Sequence, residues 1–296
     1  MDSLLLPGHD VPLGRYTTVR RLLPQRTRRT VGAWCFVDHF GPDDVAGRPG
    51  MRIGPHPHTG LQTVTWLVEG EILHRDSTGS RQVIVPGQLN VMTSGRGISH
   101  SEESPADHPP LLHGLQLWVA LPESARHREP GFAHHATLPV VEVGDARVTV
   151  LAGAFAGAVS PAVVYSPLMG AEVILAGSAD FPVERGFEYA AVVMTGAARV
   201  EGVDLKPGDL LYLGTGLSTV RVDGDARLFL FGGEPFDEPL VMWWNFVGRS
   251  HEEIAEARAD WAAGRRFGTV SAEPPLEAPA MPTVRLKART RDGNTR

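Results

Sequence analysis

The sequence predicts an all-β fold made of two β-barrel or sandwich domains, and three observations carry that prediction. Gly (33) and Pro (24) make up nearly a fifth of the 296 residues, against a usual sum of about 12%; such punctuation suits short strands joined by turns. Short runs rich in β-branched and large apolar residues recur throughout the chain. A turn–strand unit also appears twice, as PGQLNVMTSG (Pro86–Gly95) and PGDLLYLGTG (Pro207–Gly216), with LVEG (Leu67–Gly70) and VMTG (Val193–Gly196) upstream. Two copies of one β unit account for the length, since a domain takes about 100–200 residues.

Along the chain, residues 1–32 hold a basic cluster of Arg15, Arg20, Arg21, Arg26, Arg28 and Arg29. It reads as a solvated strand-and-loop surface in preference to an anion-binding site, since nothing Gly-rich accompanies it, and is a candidate patch for a protein partner. Strands are predicted at Thr63–Val68, Gln82–Val85, Leu89–Met92 and Leu115–Ala120. The last alternates, with Leu115, Leu117 and Val119 on one face and Gln116, Trp118 and Ala120 on the other. The second half continues with Arg147–Leu151, Glu172–Leu175, Ala190–Met194, Leu210–Leu213, Thr219–Val222 and Arg227–Phe231. One helix is predicted: Ser250 and Glu253 form a capping box, Ile254, Ala257 and Trp261 share a face, and Gly264 ends it. The expected divisions are 1–133, 134–270 and a disordered Pro-rich basic tail, 271–296, which carries Arg285, Lys287, Arg289, Arg291 and Arg296.

Composition removes several functions. A net charge of -6 gives no case for a nucleic-acid groove. With one cysteine, Cys35, there is neither an internal disulfide nor a thiolate metal cluster. The expected compartment is the cytoplasm. The short apolar run Leu4–Leu6 is no signal-peptide core, and no stretch approaches the ~18 apolar residues of a membrane span.

The chemistry lies in Pro55–Glu103, which holds His56-Pro57-His58 and His100-Ser101-Glu102. Residues i and i+2 of a strand face the same way, so each triplet projects two donors to one side. If the two strands are neighbours, three imidazoles and one carboxylate converge; otherwise these are ordinary surface histidines. Without sulfur, the set accepts Fe(II), Mn, Ni, Co, Cu or Zn. Four ligands leave open positions on an octahedral ion but close a tetrahedral zinc, so the set suits a redox-capable non-haem iron. His74 and Asp76 form another i, i+2 pair, read as a satisfied polar cluster or as support for the site. His113 precedes a strand and could line the cavity, His39 is read as a hydrogen-bonded loop residue, and Gly95-Arg96-Gly97 as a tight turn that delivers His100. Cys35 sits in an apolar run and is expected to be buried and inert. The second half has only His134, His135 and His251, and adjacent residues of a strand face opposite ways.

The segments VGAWCFVDHFGP (Val31–Pro42), HPHTGLQTVTWLVEG (His56–Gly70), MTSGRGISHSE (Met92–Glu102) and GLQLWVALP (Gly114–Pro122) resemble the pirins, a family of the cupin superfamily. So do the H-x-D at His74 and Asp76 and the closing HEEIAEARADW and GRRFG. The resemblance spans roughly residues 12–270. It implies two packed cupin barrels with one mononuclear iron in the first, held by His56, His58, His100 and Glu102. It further implies a dioxygenase acting on flavonols such as quercetin with O2, cleaving the heterocyclic ring with loss of carbon monoxide; Glu102 would also take the proton of the substrate hydroxyl. Other pirins are described as redox-sensing co-regulators or partners of metabolic enzymes, so an iron-binding sensor acting through a protein partner is the alternative. A metal-free β-sandwich binding protein is the third reading. Two departures bear on substrate preference: Thr59 stands where the family usually has arginine, and Gln62 where it often has glutamate.

Overall fold

The computed structural model describes residues 3–13 and 17–294, so Arg15 and Arg296 lie outside the described residues. The fold is all-β, with a single helix among the described residues. Two large antiparallel sheets share one strand order. The first runs Gly131–His135, Leu89–Thr93, Leu61–Glu69, Leu111–Ala120, Trp34–Asp44, Thr17–Leu23, His9–Leu13. The second runs Leu4–Pro7, Asp209–Thr215, Glu188–Val200, Thr219–Gly233, Leu168–Pro182, Ala146–Ala152, Val140–Val143, with Val203–Leu205 beside Glu188–Val200. The two Pro-Gly units hold equivalent places in these orders, entering Leu89–Thr93 and Asp209–Thr215 through glycines at φ +85° (Gly87) and +82° (Gly208). A four-stranded sheet, ordered Arg52–His58, Ile98–Glu103, Ile72–Asp76, Arg81–Ile84, belongs to the first barrel.

The central strands of the large sheets are buried on both faces over part of their length, as in Leu61–Glu69 and the first half of Glu188–Val200, and the edge strands His9–Leu13 and Val140–Val143 are exposed or half-buried. Ala190, Val192 and Met194 join Phe229, Phe231, Trp66, Leu115 and Leu117 in the core between the barrels; Ala191, Val193, Leu228 and Leu230 fill the second barrel's interior. Trp34 crosses the junction, donating from Nε1 to the carbonyls of Met169 (3.1 Å) and Gly232 (3.2 Å). It also meets Phe229 and Phe231 edge-on, at 5.9 Å each.

Four expectations need correction. Thr219–Val222 and Arg227–Phe231 are one strand, because Gly224 (φ +139°) faces Gly177 (φ +141°) in the ladder and carries it through Asp223–Asp225. The strand Gly131–His135 crosses the expected boundary at 133/134 and pairs with Leu89–Thr93 of the first sheet, where His134 Nδ1 meets Asn90 Oδ1 at 2.8 Å. At the same place on the second sheet lies Leu4–Pro7, from the other end of the chain. Residues 271–294 are not a disordered tail: Leu276 N–H donates to Pro55 O (2.7 Å), and Leu240 and Arg289 exchange backbone bonds of 2.9 and 3.0 Å. Met281, Leu286 and Ala288 pack on a cluster with Phe246, Ile254 and Phe267. Finally, the basic cluster is divided, with Arg26 exposed and two of its members turned to buried acids. Arg21 forms a bidentate pair with Asp38 (2.9 and 2.8 Å), and Arg28 lies 3.7 Å from the buried Glu188.

The helix, His251–Ala262, is capped at Ser250, whose side chain accepts from Glu253 N–H at 3.2 Å. Half of the capping box is present. The Glu253 carboxylate bonds Arg249 N–H (2.8 Å) and the Arg126 guanidinium (3.0 and 3.1 Å), not the Ser250 N–H. Gly264, at φ +66°, follows the last turn. Among the described residues no helix is long and apolar enough to cross a membrane.

Candidate metal centre

The four-stranded sheet brings three i, i+2 pairs together. Ile98–Glu103 runs between Arg52–His58 and Ile72–Asp76, with His100 opposite both His56 and Asp76 and Glu102 opposite His74. A register shift between His100 and Glu102 on the His56 side marks a bulge, which re-aims the carboxylate. One ring nitrogen each of His56, His58 and His100 lie within 4.8 Å of one another, and ligand atoms of His74, His100 and Glu102 do the same. The two groups share His100: His56 and His58 stand in one, His74 and Glu102 in the other, so the four expected donors, His56, His58, His100 and Glu102, fall in two overlapping sets. All four line one cavity of about 400 Å³.

Carbonyl oxygens only accept, so the hydrogen-bond partners fix the tautomers. His56 Nδ1 donates to Gly54 O (2.9 Å) and His58 Nδ1 to Asn245 O (3.2 Å), leaving both Nε2 atoms with bare lone pairs. His58 Nε2 faces His100 Nε2 at 3.1 Å. Burial pushes the His56 imidazole down to about 4 and those of His58 and His100 well below their ordinary value. Three neutral imidazoles with nitrogens crowded together is the state in which they ligate a cation, and the donor set fits a divalent transition metal. Burial pushes the Glu102 carboxyl up, opposed by the Thr65 hydroxyl at 3.4 Å from Oε1.

The large sheet supplies the opposite wall. Phe36 and Trp118 stack at 4.0 Å, Trp118 meets His58 edge-on at 5.1 Å, and Arg21 lies over Phe36 at 4.5 Å. Beside them a polar row crosses five strands in direct register: Arg21, Asp38, Gln116, Thr65, Asn90. The single Thr65 hydroxyl proton has two acceptors in reach, Gln116 Oε1 at 3.0 Å and Glu102 Oε1 at 3.4 Å. The alternation read in Leu115–Ala120 thus divides the interdomain core from the cavity.

Several expectations shift. Gln62 does not support the site: its Nε2 donates to Thr93 Oγ1 and Val163 O, each at 3.0 Å. The turn at Gly60 (φ +71°) starts a new strand in which Val64 and Trp66 face the interdomain core. Gln62 shares their parity, and Thr65 faces the cavity. Thr59 does not line the metal cavity either, whose wall carries a cation in Arg21. His39 lies in a strand and not a loop, and pairs with His113 across 2.7 Å; His113 does not line the cavity. Cys35 is buried, with its thiol pushed up to about 12 by burial. Sequence reasoning missed Leu276, Trp244 and Asn245 in the cavity wall, which come from the far end of the chain.

Comparison with known proteins gives the family. The family description Pirin matches residues 16–119, and Pirin C-terminal cupin domain matches 171–268. The chain is 46% identical over 277 residues to a Pseudomonas aeruginosa protein named "Putative quercetin 2,3-dioxygenase", covering 91% of this chain and 88% of that one. It is 39% identical to a pirin-like protein of Caulobacter vibrioides, over 90% of this chain and 94% of that one. A crystal structure of quercetin 2,3-dioxygenase from Acinetobacter baumannii superposes with a TM-score of 0.92 at 40% identity, covering 97% of each chain. With both cupin domains matched and relatives covering nearly its whole length, the chain belongs to the pirin family.

Proposed function

We propose that this pirin is a metal-dependent dioxygenase that opens the heterocyclic ring of flavonols such as quercetin with O2, at a mononuclear iron held by His56, His58, His100 and Glu102. The observation that carries the reading is three buried imidazoles, two of them with Nδ1 held by a carbonyl and Nε2 bare, and one carboxylate in the wall of a single cavity of about 400 Å³. A bound Fe(II) would supply a Lewis-acidic, redox-active centre with room for substrate and O2. The protein's own groups do the rest. Phe36 and Trp118 give a flat aromatic wall against which a planar ring system packs. Gln116 and Asn245 offer polar groups at the cavity surface that orient its hydroxyl and carbonyl substituents. Glu102, with Thr65 at one oxygen, takes the proton of the substrate hydroxyl. The names of the close relatives point the same way.

The sensor reading offered the arginines at 15–29 as a candidate partner patch, and the pairing of Arg21 and Arg28 with the buried Asp38 and Glu188 withdraws two of them from it. The test is quercetin loss under air by protein loaded with iron. Loss that stops with a chelator and in His56→Ala is the expected result. A folded, iron-loaded protein that consumes no O2 with any flavonol overturns the reading.

A further inference from the structure

We propose that Asp76 and His74 form a hydrogen-bonded relay to His100 that fixes which nitrogen His100 presents to the metal and strengthens it as a ligand. His74 and Asp76 are thus positioning residues of the centre. The inference rests on the reading of His100 as a ligand and goes beyond it.

The relay is built outward from the loop. Asp76 Oδ1 accepts from Thr78 N–H (2.9 Å), Thr78 Oγ1 (2.6 Å) and Ser80 N–H (3.1 Å), which leaves Oδ2 to accept from His74 Nε2 at 3.0 Å. A carboxylate only accepts, so His74 carries its proton on Nε2 and presents a lone pair at Nδ1. That atom faces His100 Nδ1 at 3.4 Å, and in the proposed relay it accepts a His100 proton carried on Nδ1. His100 Nε2 is then bare and directed at His58 Nε2, 3.1 Å away. In that state the three histidines share one pattern: a proton on Nδ1, held by Gly54 O, Asn245 O or His74, and a free Nε2. Phe132 stacks on the His74 ring at 4.4 Å and 15°, holding its plane. The register makes the relay a property of the sheet, since His100 lies directly opposite Asp76 on the neighbouring strand.

Two consequences follow from a carboxylate that acts through one imidazole on another. Electron density is pushed toward His100 Nε2, which favours the more highly charged ion and raises affinity. The chain of protons also has a direction, set by Asp76. In Asp76→Asn the loop N–H groups still claim an oxygen, so the amide nitrogen faces His74 Nε2. His74 must then protonate Nδ1, and two N–H groups meet at His100.

The experiment uses the full chain loaded with Zn(II), or with iron for the redox measurement, in wild type, Asp76→Asn and His74→Gln. Chelator competition is expected to show Zn(II) affinity falling about 10–100-fold in both variants. The Fe(III)/Fe(II) midpoint potential is expected to rise, a shift that loss of fold would not produce in the fraction still loaded. X-ray absorption is expected to count the same number of metal-bound imidazoles in His74→Gln as in wild type. Unchanged affinity and potential in Asp76→Asn overturn the relay, and so does loss of one imidazole in His74→Gln, which would make His74 a direct ligand. A wild-type protein that binds no metal fails the reading of the site itself. Should His74→Gln not fold, Asp76→Asn decides alone, because it keeps volume and loop hydrogen bonds.

Discussion

The two barrels are one strand lattice filled in two ways. In the first, a row of residues in register across five strands of the large sheet reads Arg21, Asp38, Gln116, Thr65, Asn90. The equivalent strands of the second carry Val150, Ala171, Leu230, Ala191, Leu211, also in register and all in its hydrophobic interior. The first barrel adds a four-stranded sheet whose i, i+2 pairs face the cavity. The lattice is set by apolar alternation and turn glycines, which both halves share. Chemistry depends on what stands at the inward positions, and in the first barrel a polar row meets the donor pairs. The apolar row instead packs the second barrel into a support for Trp34 and the interdomain core.

The sharpest way to separate the barrels is to remove one ligand. His100→Ala is expected to lose bound metal and flavonol turnover together while the second barrel stays folded, read by elemental analysis and by the tryptophan emission of the junction. Metal retained at wild-type stoichiometry would break the assignment. The converse change, Leu230→Ala, opens a cavity in the apolar row; urea unfolding should show a loss of about 2–5 kcal/mol with metal stoichiometry unchanged.

A third prediction uses His39 and His113, pushed down to about 4 chiefly by burial. Their folded pKa values lie below the unfolded value near 6.5, so between those limits the unfolded chain binds more protons. Stability of the metal-free protein is therefore full above about pH 6.5 and falls as pH drops toward 4. Urea midpoints across that window should show the fall, and the double variant His39→Leu/His113→Leu should make it shallower, the buried His56, His58 and His100 keeping the remainder. The smallest effect is expected at Gln62, which faces the interdomain side. Gln62→Glu should lower stability by burying a charge and leave metal content as it was; a gain in metal affinity would return that position to the site.

Much of this was legible in the sequence because it rests on local periodicity. Strand period places His56 with His58 and His100 with Glu102 on one face each, and the paired Pro-Gly units announced the duplicated lattice. What was not legible depends on which strand lies beside which. His74 and Asp76 are recognisable as a pair, but their contact with His100 needs the neighbour order of the four-stranded sheet. The parity of Gln62 depends on where the Gly60 turn restarts the strand. The segment after residue 270 has no apolar period, and it is held by scattered contacts with distant residues, such as Leu276 N–H to Pro55 O at 2.7 Å and the packing of Met281 and Leu286 on the Phe246 cluster. The exchange of Leu4–Pro7 onto the second sheet likewise pairs residues some two hundred positions apart, as with Leu4 and Tyr212.

The central claim is tested most directly by anomalous diffraction at the iron edge from crystals of protein purified without added metal. The account predicts one peak per chain, bonded to Nε2 of His56, His58 and His100 and to a carboxylate oxygen of Glu102. A peak held by other residues, or none in protein that turns over quercetin, would contradict it.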